Sequence, residues 1–188
     1  MLKYIEEFRK YVAITGFSKA KIGSIEEFFR LVCKEKPSNV EVQFFDAKLV
    51  ATWQHLYFAV LNALTAFKNQ RNISKSLAME TMLYASAQRQ IRKATQIMGV
   101  KPNTSEIAVL VIGEKRKTVK LALQTIMKYV NAEQNSAILE LSKEKIALIQ
   151  KVFGISNVEL EVVMRKDGLE KALVHLAIER MALLATQR

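Results

Sequence analysis

"IAVLVIG", residues 107–113, is an uncharged apolar run of strand length, rich in β-branched side chains and closed by a glycine. It places a buried strand in a chain whose other long patterns are helical. Just upstream, Gly99 and Pro102 end a helical pattern at Met98. Just downstream, spacing predicts a helix from about Arg116 to Asn131. Further out, "KYVAITG" (10–16) reads as a strand, and "VEVQFF" (40–45) alternates as a half-buried strand should. Between them Ser24-Ile-Glu-Glu27 is a capping box opening a helix to about Lys34, and Pro37-Ser-Asn is a turn. A helix is expected from about Lys48 to Lys68, then a short loop over 68–72. Beyond residue 131, a short strand is expected near Ala137–Leu141. Ser142 caps a helix closing at Gly154, Ser156-Asn-Val-Glu159 opens one or two turns, and Asp167-Gly-Leu-Glu170 opens the last helix. Strands set among more numerous helices, without strict alternation, imply an α+β fold: helices on a small, three- to four-stranded mixed sheet, one compact domain over residues 1–188.

Half of the 188 residues are hydrophobic, enough for a sizeable core, and glycine and proline are sparse, which excludes extensive disorder. The single cysteine, Cys33, sits among Phe28, Phe29, Leu31 and Val32 and is expected as a buried packing thiol. "LVATWQHLYFAVLNALTAF" (49–67) has no charge, but Thr52, Gln54, His55, Asn62 and Thr65 interrupt it. A buried central helix accounts for it better than a membrane span does. With no charged-then-apolar leader, the expected location is the cytoplasm.

Charge is distributed unevenly. The chain carries a net +11, yet Lys68–Lys128 alone holds twelve Lys or Arg against Glu80, Glu106 and Glu114. Such a local surplus points to a surface facing a polyanion, most often a nucleic acid. "NISKSLAMETMLYASAQRQI" (72–91) lies within it and reads as one helix running on to Met98. At 100° per residue, Ile73, Leu77, Glu80, Leu83, Tyr84, Ala87, Ile91, Ala94 and Met98 share one face. Lys75, Arg89 and Lys93 fall opposite, with Arg92 near the edge and no acids among them. Lys68, Arg71 and Asn72 precede this helix, and Lys115, Arg116, Lys117 and Lys120 stand at the start of the next. Cations at a helix N-terminus cost roughly 0.3–1 kcal/mol each unless an anion joins them. No phosphate-loop pattern accompanies them.

Little points to catalysis. His55 and His175 are the only histidines, each on a mainly apolar helix, and the sequence shows no metal-ligand spacing, dinucleotide fingerprint or nucleophile elbow. Glu80, inside the apolar stripe, reads as a buried or rim carboxylate. No cofactor, no metal and no small-molecule substrate are expected. In the last helix, apolar residues from Leu173 to Ala185 cover nearly the whole circumference. Such a helix either threads its own domain or is covered by a second protein.

"NISKSLAMETMLYASAQRQIRKA", Gly99-Val100, "AVLVIG", "KVFGIS" with Glu159, and "IERMALL" together give the chain a likeness to a known family. It resembles the kinase-binding regulatory subunit of the KEOPS complex, related to the PRPK-binding protein of eukaryotes. The likeness spans about Val42 to Leu184, and its most specific part is Ser86, Arg89, Gln90 and Ile91. Ala87 stands where many members have glycine. The resemblance implies a non-catalytic subunit that binds the atypical small kinase of the complex. It also implies capture of tRNA by its single-stranded 3′ CCA end, for threonylcarbamoyl-adenosine modification beside the anticodon. On that reading Lys68, Arg71, Lys75, Arg89, Arg92 and Lys93 hold backbone phosphate or the tail. Asn72, Ser74, Gln88 and Gln90 read bases, and Lys115, Arg116, Lys117 and Lys120 extend the track. Val174, Ile178, Met181 and Leu184 suit the kinase or the core. A pure protein–protein regulator of the kinase, with no direct hold on tRNA, is the rival reading, and a nucleotide-binding enzyme is a third.

Overall fold

A computed structural model describes residues 1–184 and 186, without the side chains of residues 166 and 167. In chain order it comprises β1 (Leu2–Ile5), β2 (Lys10–Ser18), α1 (Ile25–Glu35), β3 (Val40–Asp46), α2 (Trp53–Lys68), α3 (Leu77–Ala85) and α4 (Ile91–Met98). Then follow β4 (Ile107–Gly113), α5 (Arg116–Tyr129), β5 (Glu133–Gln134), α6 (Lys143–Phe153), α7 (Asn157–Asp167) and α8 (Leu169–Leu184). The α+β class holds. The chain forms two compact units, Met1–Ala47 with Gly99–Ile138, and Lys48–Met98 with Leu139–Arg188.

The first unit is built on a five-stranded sheet in the order β1-β2-β4-β3, with β5 beside the end of β2. Every strand pair among the described residues is antiparallel, so the sheet is not mixed as expected. β2 and β3 do run parallel, joined by the crossover helix α1, but β4 returns between them and pairs antiparallel with both. The two helix-linked strands thus form a crossover whose central slot is filled from later in the chain. All of β4 is buried, which is why "IAVLVIG" shows no alternation. Ala13, Phe17, Phe44, Ile107, Val109 and Val111 form one core with Phe28 and Val32 of α1 and Val119, Ala122 and Ile126 of α5.

Ser24 caps α1 by accepting the Glu27 N–H at 3.2 Å. Cys33, the neighbour of buried Val32, points the other way and is exposed, which corrects the expected packing thiol. The strand expected near 137–141 is a 3-10 turn, Ser136–Leu139, and pairing falls earlier, at Glu133–Gln134. Gly16 explains this. A Cβ there would lie 2.5 Å from both the Asn135 carbonyl and Ile138 Cγ1, so the returning chain crosses directly over the strand.

The second unit is helical. α2 carries most of the uncharged stretch and buries His55, Leu56, Ala59, Val60, Ala63, Leu64 and Ala66. No helix among the described residues is long and apolar enough to cross a membrane. The helix expected over 72–98 is two helices. α3 buries every position from Ala78 to Ala85 except Met79. It ends at Ser86, where Gln88 N–H reaches Leu83 O at 3.0 Å and Ala87 N–H reaches Tyr84 O at 2.9 Å. That pattern needs a left-handed residue, and Ala87 takes it at φ 51°. The single apolar stripe therefore breaks: Leu83 and Met98 are buried, but Ile73 and Ile91 are exposed.

α6 is capped by Ser142 and closed by left-handed Gly154. The Ser156–Glu159 capping box is complete and opens three turns of α7, not one or two. Glu159 also takes the Arg180 guanidinium of α8 at 2.5 Å. Its carboxyl is held down to about 2, chiefly by the Ser156 N–H and then by Arg180. The third expected box rests on the Asp167 side chain, which lies outside the described residues; Asp167 is the last residue of α7, and α8 begins at Leu169. α8 buries Ala172, Leu173, Val174, Leu176, Ala177, Met181 and Leu184, so its apolar girth fills its own unit.

His55 joins α2 to the end of α3. Its Nδ1 accepts the Ala51 N–H at 3.1 Å and its Nε2–H donates to Ala85 O at 2.9 Å. Burial, with the nearby Lys145 charge in support, lowers its pKa to about 4 against a weaker opposing pull from the Ala85 carbonyl. The neutral ring is the folded form. Its contribution is present above the ordinary value of 6.5 and lost as pH falls toward 4. The urea midpoint should therefore drop between pH 7 and pH 4.5 by an amount approaching roughly 3 kcal/mol of stability; a flat midpoint over that range would contradict the assignment. Ala87→Gly should raise stability by about 1 kcal/mol by relieving the left-handed strain, read as a higher thermal midpoint.

Candidate nucleic-acid interface

Six basic residues of the second unit, Lys68, Arg71, Lys75, Arg89, Arg92 and Lys93, sit where the chain enters and leaves α3. The entering loop is held throughout. Asn69 N–H reaches Thr65 O at 3.0 Å, Gln70 N–H reaches Phe67 O at 3.1 Å and Arg71 N–H reaches Ala66 O at 2.8 Å, with Gln70 left-handed at φ 54°. Asn72 Nδ2–H donates to Ser74 O at 3.0 Å. Glu80 Oε2 accepts the N–H groups of Ile73 and Ser74 at 3.0 and 2.7 Å. Ser74 Oγ accepts the Ser76 N–H, and Ser76 Oγ in turn caps α3 at Met79. With its backbone so fixed, the loop projects Arg71 and Lys75 outward as exposed cations, next to exposed Lys68 at the end of α2.

Beside this loop lies a cleft of about 130 Å³. Asn69, Arg71 and Ile73 line it from the loop, Asn62 and Thr65 from α2, and Tyr84 and Arg89 from the far side. Tyr84 is 7% exposed, offering little more than an edge. Burial, aided by the Glu80 charge, raises its hydroxyl pKa, and Arg89 pulls it the other way. Two guanidinium groups, three amide or hydroxyl side chains and an aromatic edge can together bind an anionic, hydrogen-bonding ligand.

Other predicted residues spread more widely. Gln90, Arg92 and Lys93 are exposed at the start of α4, beyond the break, and Gln88 is half-buried. Among the described residues no ion pair engages Arg71, Lys75, Arg92 or Lys93. Asn72 is half-buried and donates one N–H to Ser74 O, and Ser74 is buried with its Oγ accepting the Ser76 N–H. Lys115, Arg116, Lys117 and Lys120 are exposed at the start of α5, in the first unit. Lys115 occupies the N-cap without a capping side-chain bond, and Glu114 beside it pairs with Lys10 at 2.8 Å. The four α8 positions divide. Val174, Met181 and Leu184 are buried and belong to the core; Ile178 is partly accessible.

Sequence reasoning singled out the cations and missed Asn69 and Tyr84 as lining groups. A signal was present: Asn62, Thr65 and Asn69 recur at helical spacing on one side of an otherwise apolar helix. Next to α8 a second concavity, about 430 Å³, is lined by Thr52, Gln54 and Phe58 of the α2 start and by Val174, His175 and Ile178. His175 is exposed, unlike His55. Among the described residues no cluster of His, Cys, Asp or Glu could hold a metal ion.

Comparison with known proteins finds both a family and a relative. The family described as kinase binding protein CGI-121 matches residues 23–185. The regulatory protein Cgi121 of Methanocaldococcus jannaschii is 32% identical over 159 residues, covering 83% of this chain and 94% of that protein.

Proposed function

The chain belongs to the family of kinase binding protein CGI-121, and from that premise we propose that it is a non-catalytic KEOPS subunit that binds the atypical small kinase and recruits tRNA by its 3′ CCA end. The modification served is threonylcarbamoyl-adenosine, beside the anticodon. The observation that carries the tRNA part is the cleft between loop 69–76 and the end of α3. It sets Arg71 and Arg89 beside Asn62, Asn69 and the edge of Tyr84. A single-stranded end needs charge for its phosphates and fixed hydrogen-bonding groups for splayed bases. Lys68, Lys75, Arg92 and Lys93 add cations in the same unit. The cations of α5 serve as a separate contact for RNA backbone.

The kinase part rests on the family's own description and on the concavity beside α8. Phe58 is 40% exposed there, an unusual value for an aromatic residue on a helix otherwise so buried. With Ile178 and His175 it forms an apolar centre and a polar edge, the anatomy of a protein contact. Val174 lines the same concavity, Met181 is fully buried in the core, and Leu184 lines the cleft beside Arg71 instead.

Arg89→Glu combined with Lys93→Glu should weaken tRNA binding at least tenfold in a filter or mobility assay without lowering the thermal midpoint. Removing the CCA end should weaken the wild-type chain comparably, and affinity should fall with salt by about 0.7 log units per log unit for each phosphate held on a single strand. Retained kinase binding with no affinity for tRNA at low salt would favour the regulator that acts through protein contact alone. Phe58→Asp with Ile178→Asp should abolish co-elution with the kinase in gel filtration while leaving tRNA affinity within twofold.

A further inference from the structure

We infer that Glu80 is a positioning residue for the cleft, fixing the loop at Ile73 and Ser74 against the helix that carries Tyr84 so that an RNA 3′ end meets a preformed site; this rests on the reading of the cleft given above. Glu80 is 1% exposed, in the first turns of α3. Its Oε2 takes two consecutive loop N–H groups, from Ile73 and Ser74. Its Oε1 is equally buried and accepts no hydrogen bond among the described residues.

For the fold alone this is a poor choice of side chain. Removing a carboxylate from water costs several kcal/mol, and a well-packed apolar residue of similar volume is often neutral or better. A half-satisfied buried carboxylate calls for another reason to be there. The loop supplies one. Arg71 N–H is tied to Ala66 O at the end of α2, and Ile73 and Ser74 are tied to Glu80 on α3. Of the two side chains the loop contributes to the cleft, Ile73 is therefore referenced to the helix that carries Tyr84, one turn beyond Glu80, while Arg71 is referenced to α2. Without the carboxylate, the hydrogen bonds left to residues 72–75 among the described residues run within the segment or to Ser76. The cleft would persist as an average, and its bound geometry would have to be assembled at each encounter.

The test compares tRNA with and without its CCA end, using the wild-type chain, Glu80→Leu and Glu80→Gln. Leu matches the volume and removes the acceptor; Gln keeps an acceptor at the same reach. Glu80→Leu should lose at least fivefold in affinity for intact tRNA and stay within twofold for truncated tRNA. Glu80→Gln should keep intact-tRNA affinity within threefold of wild type, a rescue that a general loss of stability would not produce. A CCA-dependent affinity that survives in Glu80→Leu overturns the inference while leaving the reading of the cleft in place. A wild-type chain that does not distinguish the two tRNAs overturns both. Should Glu80→Leu not fold, amide exchange on the wild-type chain decides. A CCA-ended oligonucleotide should slow exchange at Ile73 and Ser74 at least threefold, and unchanged exchange there rejects the assignment.

Discussion

A helix buried on nearly every side has to be entered and left through groups that the fold itself supplies, and α3 sets that constraint for the second unit. Water cannot satisfy the backbone at its ends. At the C-terminal end, His55 reaches across to the Ala85 carbonyl while Ser86 Oγ turns back on Met82 and Leu83. At the N-terminal end, Ser76 caps the helix and Glu80 takes the two N–H groups that come before it. The polar residues buried around α3 are thus accounted for by helix ends, with Glu80 Oε1 the one atom of this group left over.

The same constraint distributes the charge. Because α3 offers almost no exposed face, its flanking cations stand on the segments that lead in and out. Arg71 precedes it and Arg89 follows it, yet both line one cleft, since α3 runs only from Leu77 to Ala85. A longer helix with the same composition would have set the two guanidinium groups far apart along its axis. Charge in the first unit follows another logic: the cations of α5 gather at the positive end of a helix dipole, where only Glu114 lies adjacent and is already taken by Lys10.

Most of the architecture could be read from residue order. β4 stood out because all its residues are apolar, and the caps at Ser24, Ser142 and Ser156 lie where their side chains indicated. What escaped was decided by tertiary contact. β1 carries charged and aromatic residues on an edge and shows no alternation to read. The break at Ser86–Gln90 lacks the glycine that marks such a turn, because Ala87 accepts the left-handed conformation in its place. The site was legible as charge and not as shape. Cations announced themselves by number, whereas Asn69 and Tyr84 became part of a cleft only once α2 and α3 lay side by side. Val174, Met181 and Leu184 show the opposite case: apolar girth alone does not say whether a helix is covered by its own chain or by another.

The place of β4 between β2 and β3 bears on how the molecule comes off the ribosome. The two flanking strands are made first and must wait, two strand-widths apart, for a segment synthesised some sixty residues after β3. Until it arrives both carry open hydrogen-bonding edges, and the greasy α2 segment has already emerged. Closure by so distant a segment is slow by its topology. Nascent chains of this kind stand to gain from a holding chaperone during translation, at a stage when the finished protein's own stability offers them no protection.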